Sequence, residues 1–293
     1  MKTERSLRWL VASLAALPLL LQAQPTAHYV PGFEGIKGAS LPPPGFYLRD
    51  YNLAYHATRL NDLDGKSVGP PNLDSFFYGN VPRAIWITDK QVLGGFVGVD
   101  ALLPLIYKNL EAGAINEDRF GIGDLFAEAT LSWHPKQFDL AVACGVHMPT
   151  GESDKPTSAG LGYWTPMLTA GATWYLDAEK TWSLSALSRY EFNTEQRDSH
   201  ITPGDAYTLE WGLGKTVNKT VDVGVVGYYQ LQVTEDSGSG AATARDTVAA
   251  VGPEVSVAFP KQMFFVSFRW LYECMAENRA QGQTFSLTFT KRL

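Results

Sequence analysis

Charged side chains recur at even spacings inside runs that are otherwise apolar: Asp124 and Glu128, Arg189 and Glu191, Glu210, Glu254, then Arg269 and Glu273, with His147 in a further run. Even spacing puts residues on one side of a β-strand. Two guanidinium groups facing a set of carboxylates could form a selective constriction that orients the polar end of a solute. The same groups could instead neutralise one another across a closed interior. In either case Asp124, Glu128, His147, Arg189, Glu191, Glu210, Glu254, Arg269 and Glu273 are the expected lumen-lining or substrate-binding residues.

Other chemistry is weaker. A hydrolase would need a nucleophilic Ser beside a His. His147 has Ser153 and Asp154 nearby, but such a grouping arises readily by chance in a polar loop, and no enzyme is expected. "GLGKT" at 212–216 has Leu209 where a phosphate loop requires Gly. "TEDSGSG" at 234–240 lacks the alternating ligands of a calcium loop. The two cysteines, Cys144 and Cys274, have no zinc-site spacing. No metal or cofactor is implied.

The elements that must position the charged residues follow from period. In "FDLAVACGVHM", 138–148, every second residue from Phe138 to Met148 is apolar or Cys, with Asp139 and His147 on the other side. Such runs fall at about 45–57, 76–88, 93–106, 120–134, 138–149, 161–176, 181–193, 205–217, 220–233, 246–259, 262–275 and 282–293. Between them, long polar connections alternate with tiny ones such as "PKQ" and "DAEK"; the stretch 107–119 reads as one of the long loops. That succession predicts an all-β fold: a transmembrane antiparallel up-and-down β-barrel of about twelve strands, with short periplasmic turns and longer extracellular loops.

Hydrophobic residues make up 45% of the chain and charged ones only 18%, a low charge for a water-soluble globule. Trp133, Trp174, Trp182, Phe259 and Phe264 flank short turns, whereas Trp164, Tyr190, Phe192, Tyr207 and Tyr272 lie toward long loops. Two aromatic belts around a band of Val, Leu and Ala mark a lipid-facing surface, so outer-membrane lipid is the expected neighbour of the oily side. Cys144 and Cys274 fall on that outward side, far apart around the wall, and no disulfide is expected between them.

Residues 1–23 have the layout of a cleaved signal peptide, with Lys2, Arg5 and Arg8 before an apolar run. Cleavage would take the net charge from -6 to about -8, which disfavours nucleic acid as a partner. No later stretch is long and apolar enough for a membrane helix. Residues 24–44, with Gly32, Gly35, Gly38 and Pro42 to Pro44, are irregular: a lumen plug or a periplasmic tail, before a barrel at 45–293.

Several stretches together resemble the outer-membrane transporter family named for the meta-pathway of phenol degradation. They are "HYVPGFEGIKGASLPPPGFYL" at 28–48, "GIGDLFAEATLSWHPKQFDLAVACGVHMPTG" at 121–151, "LGYWTPMLTAGATWYLDAEKTWSLSALSRYE" at 161–191, "PGDAYTLEWGLGKTV" at 203–217, "GVVGYYQLQVTEDSGSG" at 224–240 and "GPEVS" at 252–256. The resemblance implies passive uptake of a small hydrophobic or aromatic solute across the outer membrane of a Gram-negative bacterium. The alternative is a structural or partner-binding barrel with a closed lumen. The sequence leaves the oligomeric state open.

Overall fold

The computed structural model describes residues 27–293; the leader expected at 1–23 and the start of segment 24–44 lie outside them. Fourteen strands form one sheet: β1 (Gly45–Leu60), β2 (Asp74–Val92), β3 (Gly95–Leu102), β4 (Leu105–Ala112), β5 (Ile115–Ile122), β6 (Leu125–Trp133), β7 (Phe138–Met148), β8 (Thr165–Tyr175), β9 (Trp182–Glu191), β10 (Ala206–Val217), β11 (Val221–Gln232), β12 (Thr247–Phe259), β13 (Phe264–Glu277) and β14 (Ala280–Arg292). β1 pairs antiparallel with both β2 and β14, and this closes the sheet on itself.

Two positions around the wall are each built from two strands in line. β3 and β4 pair in succession with the two halves of β2, then β5 pairs with β4 and β6 with β3. Pro82 and Pro104 stand at the interruptions, where a missing N–H breaks the ladder. Bonds from Leu103 N to Pro82 O and from Gly123 N to Pro104 O carry the wall across them. Counted this way, the wall is the twelve-stranded antiparallel barrel that the alternation predicts.

Two boundaries are corrected. The expected loop 107–119 is mostly the hairpin β4–β5, turning at 113–114. Asn116, Glu117 and Asp118 put polar residues on both faces of β5, and within 107–112 only Leu110 and Ala112 mark an apolar face, too short a run to signal a strand. The strand expected from residue 161 starts at Thr165. The preceding residues form a loop because the Asp124 carboxylate takes the backbone N–H groups of Gly151 (2.8 Å) and Leu161 (2.7 Å). That loop lies beside β5, where Arg119 pairs with Glu152 (3.0 Å) and Asp154 (3.3 Å). A hydrogen bond from Ser158, helped by Arg119, holds the Asp154 carboxyl below its ordinary range.

Side-chain parity has the sense of a membrane barrel. On β13, Phe268, Trp270 and Tyr272 are 40–53% exposed, while Arg269, Leu271 and Glu273 between them are 1–3% exposed. Aromatics are exposed toward the short turns (Trp174, Trp182, Phe259) and toward the loops (Trp164, Phe192, Tyr272). Cys144 and Cys274 are free and exposed. No helix among the described residues is long and apolar enough to cross a membrane.

The β1–β2 face departs from the pattern. Asp50 and Asn52, on the opposite side of β1 from buried Tyr51 and Leu53, point outward with Asn80. They satisfy one another: Asn80 Nδ2 donates to Asp50 (2.8 Å), Asn52 Nδ2 donates to Asp50 (2.9 Å) and the Tyr78 hydroxyl donates to Asn52 (2.8 Å). Mutual hydrogen bonding lowers the cost of presenting polar groups to hydrocarbon.

If the exposed apolar face meets lipid, Val225→Arg in the middle of β11 lowers stability by about 2–4 kcal/mol in bilayers. Urea unfolding from vesicles, with Val225→Leu as control, measures it; an unchanged midpoint places Val225 in water.

Candidate functional site

The inward ends of the strands meet around a segment of the chain itself. Residues 28–37 make hydrogen bonds to side chains from around the barrel wall, and several of these contacts complete buried groups that the wall satisfies only in part.

At the loop end, the His28 ring lies 2.9 Å (Nε2) from Asp124 Oδ2 and 2.6 Å (Nδ1) from Thr165 Oγ1. It stacks on His147 (centroids 4.8 Å) and meets Tyr163 edge-on (4.6 Å), while Phe126 packs on His147 (4.4 Å). Tyr29 follows. Its backbone N–H donates to Glu191 (2.9 Å), its hydroxyl to Glu210 (2.7 Å), and the Arg189 guanidinium lies 3.9 Å from its ring centroid.

Glu210 is the junction of the site. It also accepts from Gly32 N (2.8 Å) and Glu34 N (3.1 Å) and is paired with Arg189 (2.5 Å). Gly32, at φ +93, makes a turn that most other residues would enter only with strain. Its carbonyl accepts from Arg269 (2.5 Å), which pairs in turn with Glu254 (3.2 Å). Glu254 accepts from Ile36 N (3.0 Å).

Glu34 faces the opposite wall. Arg49 (3.1 Å), Tyr51 (2.7 Å) and Arg83 (3.6 Å) surround its carboxylate, and Arg83 is shared with Asp100 (2.8 Å) and Glu128 (2.5 Å). Lys37 ends the run on Asp222 (2.9 Å). An isolated buried charge is costly unless paired and hydrogen-bonded. Wall and segment therefore complete each other.

The wall is also cut to fit. A Cβ added at Gly214 would stand 2.4 Å from Ile36 Cγ2, and one at Gly212 would stand 3.0 Å from Gly35 O. One at Gly35 would stand 1.7 Å from a Glu254 carboxylate oxygen.

All nine residues singled out from sequence point inward. Asp124, His147, Arg189, Glu191, Glu210, Glu254 and Arg269 meet the segment or each other as described; Glu128 meets Arg83, and Glu273 accepts from Tyr55 and Tyr228 (both 3.0 Å). Arg189 and Arg269 are engaged by Glu210, Glu254 and the segment, so neither presents a free guanidinium to the lumen. Sequence reasoning missed Glu34, Arg49 and Arg83. The signal was there for the two arginines, which lie two residues from buried Tyr51 and Val81 and so on the same inward face; for Glu34, inside a Gly-rich stretch without period, there was none. The loop grouping of His147 with Ser153 and Asp154 is dispersed: His147 packs on His28 and Phe126, whereas Ser153 donates to Asp198 (2.5 Å). Among the described residues no group of His, Cys, Asp and Glu is arranged to hold a metal ion.

A closed antiparallel barrel with an oily exterior and an ion-paired interior defines the class of transmembrane β-barrels. The fold is similar to the COG4313 outer membrane channel from Pseudomonas putida F1 (TM-score 0.78, 15% identity, covering 91% of this chain and 100% of that one). It is more distantly similar to the β domain of the Bordetella autotransporter BrkA (TM-score 0.52, 11% identity, 86% and 100% covered). No curated protein matches the chain. Residues 57–289 match the family described as "Putative MetA-pathway of phenol degradation", and the chain belongs to that family.

Gly214→Leu should unseat Ile36 and expose Lys37, so trypsin cleaves folded variant after Lys37 while sparing the parent. Heat-modifiable gel migration confirms that the variant barrel is folded; continued protection of Lys37 would show that the segment does not rest on β10.

Proposed function

We propose that this protein is an outer-membrane conduit for passive uptake of small hydrophobic or aromatic compounds, exported by a cleaved leader at 1–23 and closed at rest by residues within 24–44. The observation that carries this reading is the fit of the segment into the wall, through Glu210, Glu254 and the bare backbone of Gly212 and Gly214. A tail left free in the periplasm would need neither the buried acceptors nor the missing side chains.

The rings along the segment support an aromatic solute. Phe126, His147, His28 and Tyr163 cluster at the loop end, and Phe33 lies between Tyr29 (6.0 Å) and Tyr51 (4.9 Å) further in. Aromatic faces gain from edge and offset contacts with another ring. A solute moving past would exchange one such contact for the next, while Asp124, Glu210 and Arg189, once the segment withdraws from them, offer polar groups to a hydroxyl or carboxylate. The family description names phenol degradation, which agrees with this solute class. The role is passage rather than catalysis.

The reading predicts that deleting residues 24–44 raises single-channel conductance and speeds liposome swelling in a small sugar and in benzoate. No permeation by either form would favour the alternative, a closed barrel that presents its outer loops to partners.

A further inference from the structure

The barrel is electrically polarised from end to end, in a way that the lumen does not use. At the short-turn end, Lys90, Lys136, Lys180, Lys215, Lys219, Lys261, Lys291 and Arg292 outnumber Asp89, Asp139, Asp177, Glu179 and Asp222. Lys180 and Arg292 lie over the rings of buried Tyr175 and Tyr47, and Asp139 and Asp222 are on the lumen side, which leaves six lysines against three acids toward the outside. All five tight turns contribute, as does the foot of β14, so the cations are spread around the circumference. The long-loop end has the opposite balance. Residues 59–74, 108–119, 149–164, 192–205, 233–246 and 277–279 carry fifteen carboxylates against eight cations.

Three observations distinguish this ring from ordinary solvated lysines. First, it lies at the level of the lipid-facing aromatics. Lys215 follows lipid-facing Leu213 by two residues and its Nζ sits 4.8 Å from the Trp182 ring centroid, and Lys291 follows Phe289 in the same way. Second, two of the cations occupy left-handed backbone, Lys180 at φ 55 and Lys219 at φ 60. Asn218–Lys219 fills a pair of left-handed turn positions for which Asn–Gly is the least strained choice. Third, none of the eight is within ion-pair distance of a carboxylate among the described residues, whereas the lumen cations Arg49, Arg83, Arg189 and Arg269 are.

We infer that six lysines of this ring, Lys90, Lys136, Lys215, Lys219, Lys261 and Lys291, form a docking surface for anionic phospholipid headgroups in the periplasmic leaflet of the outer membrane, Lys180 and Arg292 being turned over lumen-side rings. Long cationic side chains at an interface extend their charged ends to headgroup depth while their stems stay on apolar surface. A phosphodiester with net negative charge offers what they lack. The circumferential arrangement and the outward direction of Lys215 and Lys291 fit a lipid annulus better than an acidic protein capping the mouth. The inference rests on the barrel reading and its orientation, and not on passage of any solute.

The test uses full-length protein in vesicles with trace spin-labelled phosphatidylglycerol or phosphatidylcholine, measuring how strongly each is immobilised at the protein surface. Phosphatidylglycerol should be preferred by about fivefold at low salt, the value of one ammonium meeting an anionic surface, with most of the preference lost at high salt. Changing Lys90, Lys136, Lys219 and Lys261 together to Gln should bring the ratio close to that of phosphatidylcholine. Changing them to Arg should preserve it, and Lys66→Gln with Lys155→Gln at the other end should not alter it. No preference in the parent protein overturns the inference, as does one that survives the Gln changes; a periplasmic acidic protein then becomes the better occupant. Because conductance is not the readout, failure of the conduit reading leaves this result intact.

Discussion

Everything in the molecule depends on β1 pairing with β14. Hydrocarbon offers no partner to a backbone N–H or C=O, so a sheet can cross it only when its two edges satisfy each other. The ladder from Tyr47↔Arg292 to Leu60↔Ala280 does this along the length of β1, with one irregularity near residue 58. Once the ring is closed, alternation leaves each side chain only two destinations, lipid or lumen.

The lumen is where that choice has consequences. A barrel of this size encloses more polar side chains than it can bury unpaired, and the wall alone gives Glu210 and Glu254 only part of their hydrogen bonds. Residues 28–37 supply backbone N–H groups to both, and to Glu191. Glu34 gives Arg49 and Arg83 a shared counter-charge. Moving the segment would leave these groups to water or to a solute that can replace it. On the proposed conduit reading, closure and permeability are two states of one hydrogen-bond network, with the charged lining as part of the closing device.

The wall was largely legible in the sequence because strand period and lipid exposure reinforce each other. On β7, β11 and β13 nothing competes with that signal. It fails where both faces are wet or where a contact reaches far along the chain. The β4–β5 hairpin has polar residues on both sides, and Asp50, Asn52 and Asn80 look like a lumen face although they point outward. The inward direction of Asp124, Arg189 and Glu210 could be read from parity, but not their partners: Tyr29 and Glu210 are 181 residues apart, and Ile36 and Glu254 are 218 apart. Such distances leave no local trace.

The claim that the segment occupies the route of passage is tested most directly by tethering it. With Cys144→Ser and Cys274→Ser removing the native thiols, Ile36→Cys and Gly214→Cys place two sulfurs where the native side chain and the bare backbone already touch. The account predicts that single-channel openings disappear when the disulfide forms and return on reduction. Openings that persist, unchanged in size and frequency, in fully cross-linked protein would contradict it.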